Sequence, residues 1–150
     1  DFDIIEPSNL NRQQYFIDQL GMTKADAIRD NLKRINPYVK VDAYTEKVTP
    51  DNIDKFFSEA DVLVEAFDRA DQKAMLLQNT GHLLVVAASG LAGYSSGEAI
   101  KIKRLGKKAY IVGDLKTGAA PGFGLMAPRV GIAAHMQANL VVQLLLEKYE

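Results

Sequence analysis

Two apolar runs decide the fold: DVLVEAF at residues 61–67 and LLVVAA at residues 83–88. Each run is short and almost continuously apolar, which is typical of a strand that is buried on both faces of a parallel sheet. We expect a helix between them, from about Arg69 to Asn79. This succession of strand, helix and strand predicts an α/β fold with a right-handed, mostly parallel sheet.

Upstream of these runs, residues Lys24 to Ile35 have apolar side chains at helical spacing and predict a helix. Its expected inward face carries Ala25, Ile28, Leu32 and Ile35. Thr23 provides the N-cap signal, and Asn36-Pro37 ends the helix. Residues Val39 to Val48 alternate imperfectly and predict a strand. Thr49 as cap and Pro50 at the first helical position then predict a second helix, with Ile53, Phe56 and Phe57 turned inward.

The pattern changes after residue 88. Residues Ala99 to Arg104 and Ala109 to Val112 predict two strands joined around Gly106, and hence an antiparallel addition at the C-terminal side of the sheet. The segment Asp114 to Pro128 is rich in glycine and proline and predicts a long loop. A final helix is expected from about Arg129 to Tyr149.

Composition narrows the class of protein. A chain of 150 residues with 47% hydrophobic and 25% charged residues is typical of one soluble domain. The formal net charge of -1 gives no general attraction to nucleic acid or to a membrane surface. The apolar run from Leu140 to Leu146 is too short to span a bilayer. With no cysteine, the chain has no disulfide, thiolate zinc site or cysteine nucleophile, which suits the reducing cytoplasm.

The candidate chemistry is concentrated near the start of the chain. Asp1-Phe2-Asp3 is predicted to end a strand, where a carboxylate can accept hydroxyl protons from a ribose. Arg12 offers a planar fork of donors to a phosphate, and Lys24 offers a point charge. Asn9 and Gln13 can orient phosphate oxygens without adding charge. Taken alone, Arg12 and Lys24 are better explained as solvated surface charges, Asp1 is equally explained as a turn residue, and Asn9 indicates nothing.

A further carboxylate, Asp68, follows the first buried run, and it can either hold Mg²⁺ against a triphosphate or cap the next helix. Because the carboxyl ends of parallel strands line the ligand crevice of such sheets, we expect Asp1, Arg12, Lys24 and Asp68 to converge at one edge.

Taken in order, these residues resemble the adenylation motif of the ThiF/MoeB/HesA family, within the superfamily of ubiquitin-activating enzymes. The resemblance covers nearly the whole chain. Its most specific part is Ser8-Asn9-Leu10-Asn11-Arg12-Gln13, which is supported by Glu65-Ala66-Phe67-Asp68 and Ala87-Ala88-Ser89-Gly90. The small cysteine-free ThiF-like proteins are also similar through Gly124-Leu125-Met126-Ala127-Pro128-Arg129-Val130.

The resemblance implies a single ThiF-like adenylation domain over residues 1–150 and specific roles for its residues. Asp1 would bind the ribose of ATP, and Asp68 would organise Mg²⁺ and the reacting phosphate. The triphosphate would be held by Asn9, Arg12, Gln13 and Lys24, with Arg12, Lys24 and Asp68 as the catalytic set. The acceptor would be the C-terminal glycine of a ubiquitin-like sulfur carrier similar to ThiS, in thiamine or related sulfur metabolism, and the enzyme would be a cytoplasmic homodimer.

The family's glycine-rich strand, loop and helix for ATP does not occur in this sequence, so we expect the chain alone to exchange pyrophosphate weakly. Three alternatives stay open: a module that binds a ubiquitin-like tail without catalysis, a relative that adenylates a small molecule or a tRNA base, and an NAD-type dehydrogenase domain. The last lacks a G-x-G-x-x-G motif. The loop from Asp114 to Pro128 is expected to be poorly ordered alone and protected when the carrier binds, unless it is a plain connector.

Overall fold

The computed structural model describes residues 1–147, and the chain divides into two compact units, Asp1–Val48 and Thr49–Glu150. Each unit is described separately. The first contains two short 3₁₀ turns, Pro7–Asn9 and Ile17–Gln19, followed by helix α1, Lys24–Ile35.

Helix α1 begins and ends where the sequence predicted. The Thr23 hydroxyl accepts a hydrogen bond from the Asp26 amide at 3.3 Å, and Asn36 is the C-cap. The buried face differs from the expected one. It carries Ala25, Ala27 and Asn31, whereas Ile35 is 78% exposed. Asn31, a polar residue outside the predicted face, is therefore buried, whereas Ile35 at the end of that face is not.

Near the start of the chain, Ile4 forms an antiparallel bridge with Thr23, and the expectation that residues 1–3 end a strand stays a prediction. One expected strand of the first unit is wrong: residues 39–48 form no strand, and Val39 and Tyr44 are both about half exposed. A strand is stabilised by a neighbouring strand and a buried face, and alternation in the sequence supplies neither by itself.

The second unit contains the sheet. Its elements are α2 (Ile53–Phe57), β1 (Val62–Val64), α3 (Ala70–Asn79), β2 (Leu84–Ala88), β3 (Lys101–Leu105), β4 (Ala109–Gly113) and α4 (Ala127–Glu147). The sheet order is β1-β2-β4-β3, with β1, β2 and β4 parallel and β3 antiparallel to β4. The α/β class and the antiparallel addition are therefore confirmed. Helix α2 begins at Ile53 behind Asn52, later than the Thr49-Pro50 signal predicted.

The core of this unit lies between the sheet and α4. Its buried cluster comprises Val86, Ile100, Val112, Ala133, Leu140 and Leu144. The helix begins at Ala127, two residues before the predicted start, and the predicted end at Lys148-Tyr149 lies outside the described residues. Helix α4 thus covers one face of the parallel strands β1, β2 and β4.

Helix α4 is also longer than the apolar run from Leu140 to Leu146. Within residues 1–147, α4 is the one helix that is long and apolar enough to span a membrane by length and composition. Its buried face nevertheless packs on the sheet, and Gln137 donates hydrogen bonds to the carbonyl oxygens of Glu65 and Val86 at 3.3 and 3.2 Å. These contacts are those of a core helix in an α/β unit.

Candidate functional site

In the first unit, two of the predicted residues are linked through Asp3. The Lys24 ammonium lies 2.8 Å from the Asp3 carboxylate, and the Lys24 amide donates to the Asp3 carbonyl at 2.9 Å. Asp1 accepts a hydrogen bond from the Asp3 amide at 2.9 Å. Asp1 and Lys24 are thus brought together at the start of α1, where the helix dipole also favours an anion. The sequence did not predict that Asp3 is the partner of Lys24.

Tyr15 belongs to the same surroundings. Burial of the phenol raises the pKa of Tyr15, while the positive charge of Lys24 opposes this shift and the negative charge of Asp3 reinforces it. The phenol therefore stays protonated at neutral pH and can donate a hydrogen bond. Nothing in the sequence pattern distinguished this tyrosine from the other aromatic residues of the segment.

Asn9, Arg12 and Gln13 share one turn. The Asn9 side chain is buried and accepts from the Glu6 amide at 3.0 Å, and its carbonyl accepts from the amides of Arg12 and Gln13. Asn9 therefore fixes the shape of the turn. Arg12 donates to the Ser8 carbonyl at 3.1 Å and to the Asn11 side chain at 2.8 Å. Both acceptors are neutral oxygens, so the positive charge of Arg12 remains available for an anion.

Asp68 lies in the second unit, in the connection between β1 and α3, and is exposed. The next residue, Arg69, contacts Asp71 through two hydrogen bonds of 3.0 Å. Since Asp68 belongs to a different unit from Asp1, Arg12 and Lys24, their expected convergence on one edge stays a prediction.

Two further charged residues of the second unit, Glu65 and Lys73, were not assigned a role from the sequence. Glu65 ends the first apolar run and is buried, and its carboxylate contacts the Lys73 ammonium of α3 at 2.9 Å. A carboxylate inside an otherwise apolar run was the signal that could have identified it, because a buried charge requires a partner.

A second buried ion pair fastens the loop between β4 and α4. Arg129, 3% exposed, donates to Asp114 at 2.8 Å and to the carbonyls of Ser95 and Ser96. Desolvation acts to raise the pKa of Asp114, but the amides of Thr117 and Lys116, the Thr117 hydroxyl and the Arg129 guanidinium together hold that pKa below its usual value.

The same loop has contacts along its length. Leu125 forms an antiparallel bridge with Ala92, and Ala120 forms one with Phe123. At the end of β4, a Cβ at Gly113 would overlap the Ser89 carbonyl oxygen, so only glycine fits there. The loop is therefore tied to the rest of the second unit at its start and near its end, and the Ala120–Phe123 bridge closes a turn within it.

Among residues 1–147, no group of three or more His, Cys, Asp or Glu side chains has the arrangement of a metal site. In the first unit two side chains have the chemistry of anion binding: Arg12, which donates to two neutral oxygens, and Lys24 at the start of α1.

Comparison with known proteins was made by sequence and by structure. A profile described as ThiF family matches residues 1–150. The adenylyltransferase and sulfurtransferase UBA4 of Candida glabrata is 24% identical over 99% of the chain, and the tRNA threonylcarbamoyladenosine dehydratase of Escherichia coli is 28% identical over 71%. A solved structure of the latter protein, TcdA, in complex with AMP, superposes on the whole chain with a TM-score of 0.83 at 18% identity.

The chain covers only part of these relatives. It spans 36% of the Candida glabrata protein, 41% of the Escherichia coli dehydratase and 76% of the solved TcdA chain. The likeness to TcdA in structure is a likeness of fold.

Proposed function

Because the chain belongs to the ThiF family, we propose that it is part of an ATP-dependent adenylyltransferase that activates the C-terminal glycine of a ubiquitin-like, ThiS-like sulfur carrier. In this reaction a carboxylate oxygen of the glycine bonds to the α-phosphorus of ATP. The bond between the α- and β-phosphates breaks, and pyrophosphate leaves. Catalysis of this type depends on positioning and on neutralising phosphate charge, and it requires no covalent help from the protein.

The observation that carries the proposal is the anion-binding arrangement of the first unit. Arg12 projects from the Asn9 turn with only neutral oxygens as partners, and Lys24 opens α1 beside Asp3. In the proposal, Arg12 and Lys24 hold the triphosphate, with Asn9 and Gln13 fixing the turn and orienting phosphate oxygens. Asp1 accepts a hydrogen bond from a ribose hydroxyl. Lys24 would exchange its contact with Asp3 for a phosphate oxygen when ATP binds.

Asp68 fits a role next to Mg²⁺. Mg²⁺ keeps several waters and usually takes one or two carboxylates together with phosphate oxygens, so a single exposed carboxylate is a suitable protein ligand. In the proposal Asp68 holds the ion, which supplies charge neutralisation on the leaving pyrophosphate. The remaining positive charge comes from the side chains of the chain itself.

The loop from residue 114 to residue 126 is proposed to lie against the extended tail of the carrier. Gly118 and Gly124 have open space around their Cα atoms, so an extended peptide backbone can approach closely. Hydrogen exchange between Lys116 and Met126 is expected to slow when the carrier is added. Unchanged exchange at saturating carrier would reduce the loop to a connector.

The main test is ATP–pyrophosphate exchange, measured with the 150-residue chain and with protein from the complete open reading frame. Weak exchange by the chain and carrier-dependent exchange by the longer protein are expected. Arg12→Ala should lower kcat/KM by about 10²-fold, as loss of one donor to a developing charge does in other enzymes. Arg34→Ala, at an exposed position in the last turn of α1, is the matched control and should exchange normally.

Two results would contradict the proposal. Normal exchange by Arg12→Ala would remove this arginine from the site. Tight binding of the carrier without any exchange by the longer protein would instead favour a module that recognises a ubiquitin-like tail without catalysis.

A second acceptor is a modified tRNA base, and the similarity to the tRNA threonylcarbamoyladenosine dehydratase of Escherichia coli favours it. The exposed strand β3 and its turn carry five basic residues that would suit a polyanion: Lys101, Lys103, Arg104, Lys107 and Lys108. Exchange that depends on tRNA and not on the carrier protein would select this alternative.

The same family membership supports a homodimer. Light scattering on protein from the complete open reading frame tests it, and a monomer at enzyme-assay concentrations would contradict it.

A further inference from the structure

A buried carboxylate stands at the carboxyl end of β1. The Glu65 side chain is 0% exposed, and its amide still donates to the Val86 carbonyl at 2.9 Å as the last rung of the parallel ladder with β2. A charged group in this position is unfavourable unless its oxygens are fully engaged.

Glu65 engages its oxygens on two sides. Oε1 accepts from the Phe67 amide at 2.6 Å, which closes a tight turn directly after the strand. Both oxygens also contact the Lys73 ammonium, at 2.9 and 3.1 Å, and Lys73 lies in the first turns of α3. The carboxylate therefore ties the end of β1, the turn and α3 to one another.

Asp68 lies inside this closed connection. It follows Phe67, whose amide is held by Glu65, and it precedes Arg69, whose carbonyl accepts the Lys73 amide at 3.1 Å. Arg69 itself is turned towards Asp71. The Asp68 carboxylate is thus exposed on a short segment whose two neighbours are both fixed.

The platform beneath this segment is fixed as well. Gln137 of α4 is buried and donates one hydrogen bond to the Glu65 carbonyl and one to the Val86 carbonyl. The end of β1 and the middle of β2 are therefore held by the same amide group. Movement of Asp68 relative to the sheet would require the Glu65 contacts to open.

We propose that Glu65 and Lys73 are positioning residues that set the direction of the Asp68 carboxylate towards the nucleotide. The proposal rests on the proposed function, because it assigns Asp68 to the adenylation site. A buried ion pair adds little net stability compared with an apolar pair of similar volume, so stability alone does not account for the charges. The contacts of Glu65 account for the two charges, because an apolar pair could not accept a hydrogen bond from the Phe67 amide.

The test compares three variants with the unmodified protein: Glu65→Leu together with Lys73→Met, Lys73→Arg, and Glu59→Gln. Leucine at position 65 offers no acceptor to the Phe67 amide. The double variant removes both charges and avoids an unpaired buried ion, so it should fold. Lys73→Arg keeps the charge, and Glu59→Gln changes an exposed glutamate of the same unit as the matched control. All are made in the complete open reading frame for kinetics and in the 150-residue chain for NMR.

In the exchange assay, the double variant should lose about 10- to 100-fold in kcat while KM for ATP changes less than about twofold, as expected for misplacement of a reacting group. Lys73→Arg should retain most of the kcat of the unmodified protein, and Glu59→Gln should have the same kcat and KM as the unmodified protein. By NMR, the Phe67 amide should exchange faster and Asp68 should become more mobile in the double variant, whereas the amides of β2 should be unchanged.

The first two of three results that would overturn the proposal are a double variant with unchanged kcat in a protein that does exchange and an unchanged Phe67 amide. Faster exchange throughout β2 would also overturn it, because it would indicate a purely structural role. If the unmodified protein shows no exchange with any acceptor, the proposed function fails, and the NMR comparison alone decides whether the pair orders Asp68.

Discussion

Replacing Asp114 with asparagine should reveal how strongly the second unit depends on its buried ion pair. The asparagine side-chain oxygen can still accept from the Lys116 and Thr117 amides, which contact Oδ1 at 2.8 and 2.9 Å, so the turn is retained. The substitution removes the negative charge that faces Arg129, whose side chain is 3% exposed. The result is a buried guanidinium without a counter-charge.

Removing one partner of a buried ion pair costs about 3–5 kcal/mol. We expect the lower end, about 3 kcal/mol, because Arg129 keeps two carbonyl acceptors, at 2.8 and 3.0 Å. Its Nε already has no hydrogen-bond partner, so the guanidinium has little further capacity to compensate. For a chain of 150 residues, 1 kcal/mol corresponds to roughly 2–4 °C, which gives a decrease in Tm of about 6–12 °C.

The assay is thermal unfolding followed by far-UV circular dichroism, with urea unfolding for the free energy. Asp71→Asn is the matched control, because it removes the same charge from a pair whose side chains are 71% and 58% exposed. Exposed pairs contribute at most about 1 kcal/mol. If the Tm values of the two variants agreed within about 2 °C, the Asp114 pair would not carry the stability that its burial implies.

Three further outcomes are expected. Because the pKa of Asp114 is held below its usual value, its stabilising contribution is present above about pH 4 and is lost as the pH falls through the lowered pKa. Thermal melts in acid should therefore fall more steeply for the unmodified chain than for Asp114→Asn. Gly113→Ala should lower the free energy of unfolding by about 2 kcal/mol or more, because its Cβ would overlap the Ser89 carbonyl oxygen and its φ is 149°. Gly118→Ala, which meets open space, should unfold like the unmodified chain. Thr23→Ala should cost about 1 kcal/mol through loss of the α1 cap and speed hydrogen exchange in the first turn of that helix.

The parts of the fold that the sequence predicted are those with local causes. Helix α1 has a cap, a period and a stop within its own residues, and its bounds were correct at both ends. Strands β1 and β2 were recognisable as continuous apolar runs. β2 is buried as expected, whereas β1 lies at the edge of the sheet and its Val64 is 46% exposed. The segment from Val39 to Val48 has none of these local causes, and its alternation alone was not enough to form a strand.

The candidate site was predicted less completely, for a related reason. The residues singled out were those that could contact a nucleotide, such as Arg12 and Asp68. Asn9 was singled out only as a phosphate contact, and Glu65 was not given a role. Both accept hydrogen bonds from backbone amides whose positions exist only in the folded chain. No spacing rule in the sequence relates Glu65 to the Phe67 amide and the Lys73 ammonium at once.

The antiparallel addition to the sheet has a consequence for the order in which the second unit folds. β3 and β4 are joined by a short turn at Gly106, so their pairing closes almost no loop and should form within about 1–10 μs. The parallel pairs β1–β2 and β2–β4 each require a long connection to close first, which slows them. The hairpin is then available early as a template on which β2, and after it β1, can align. Substitutions at the turn around Gly106 should therefore change the folding rate more than the unfolding rate.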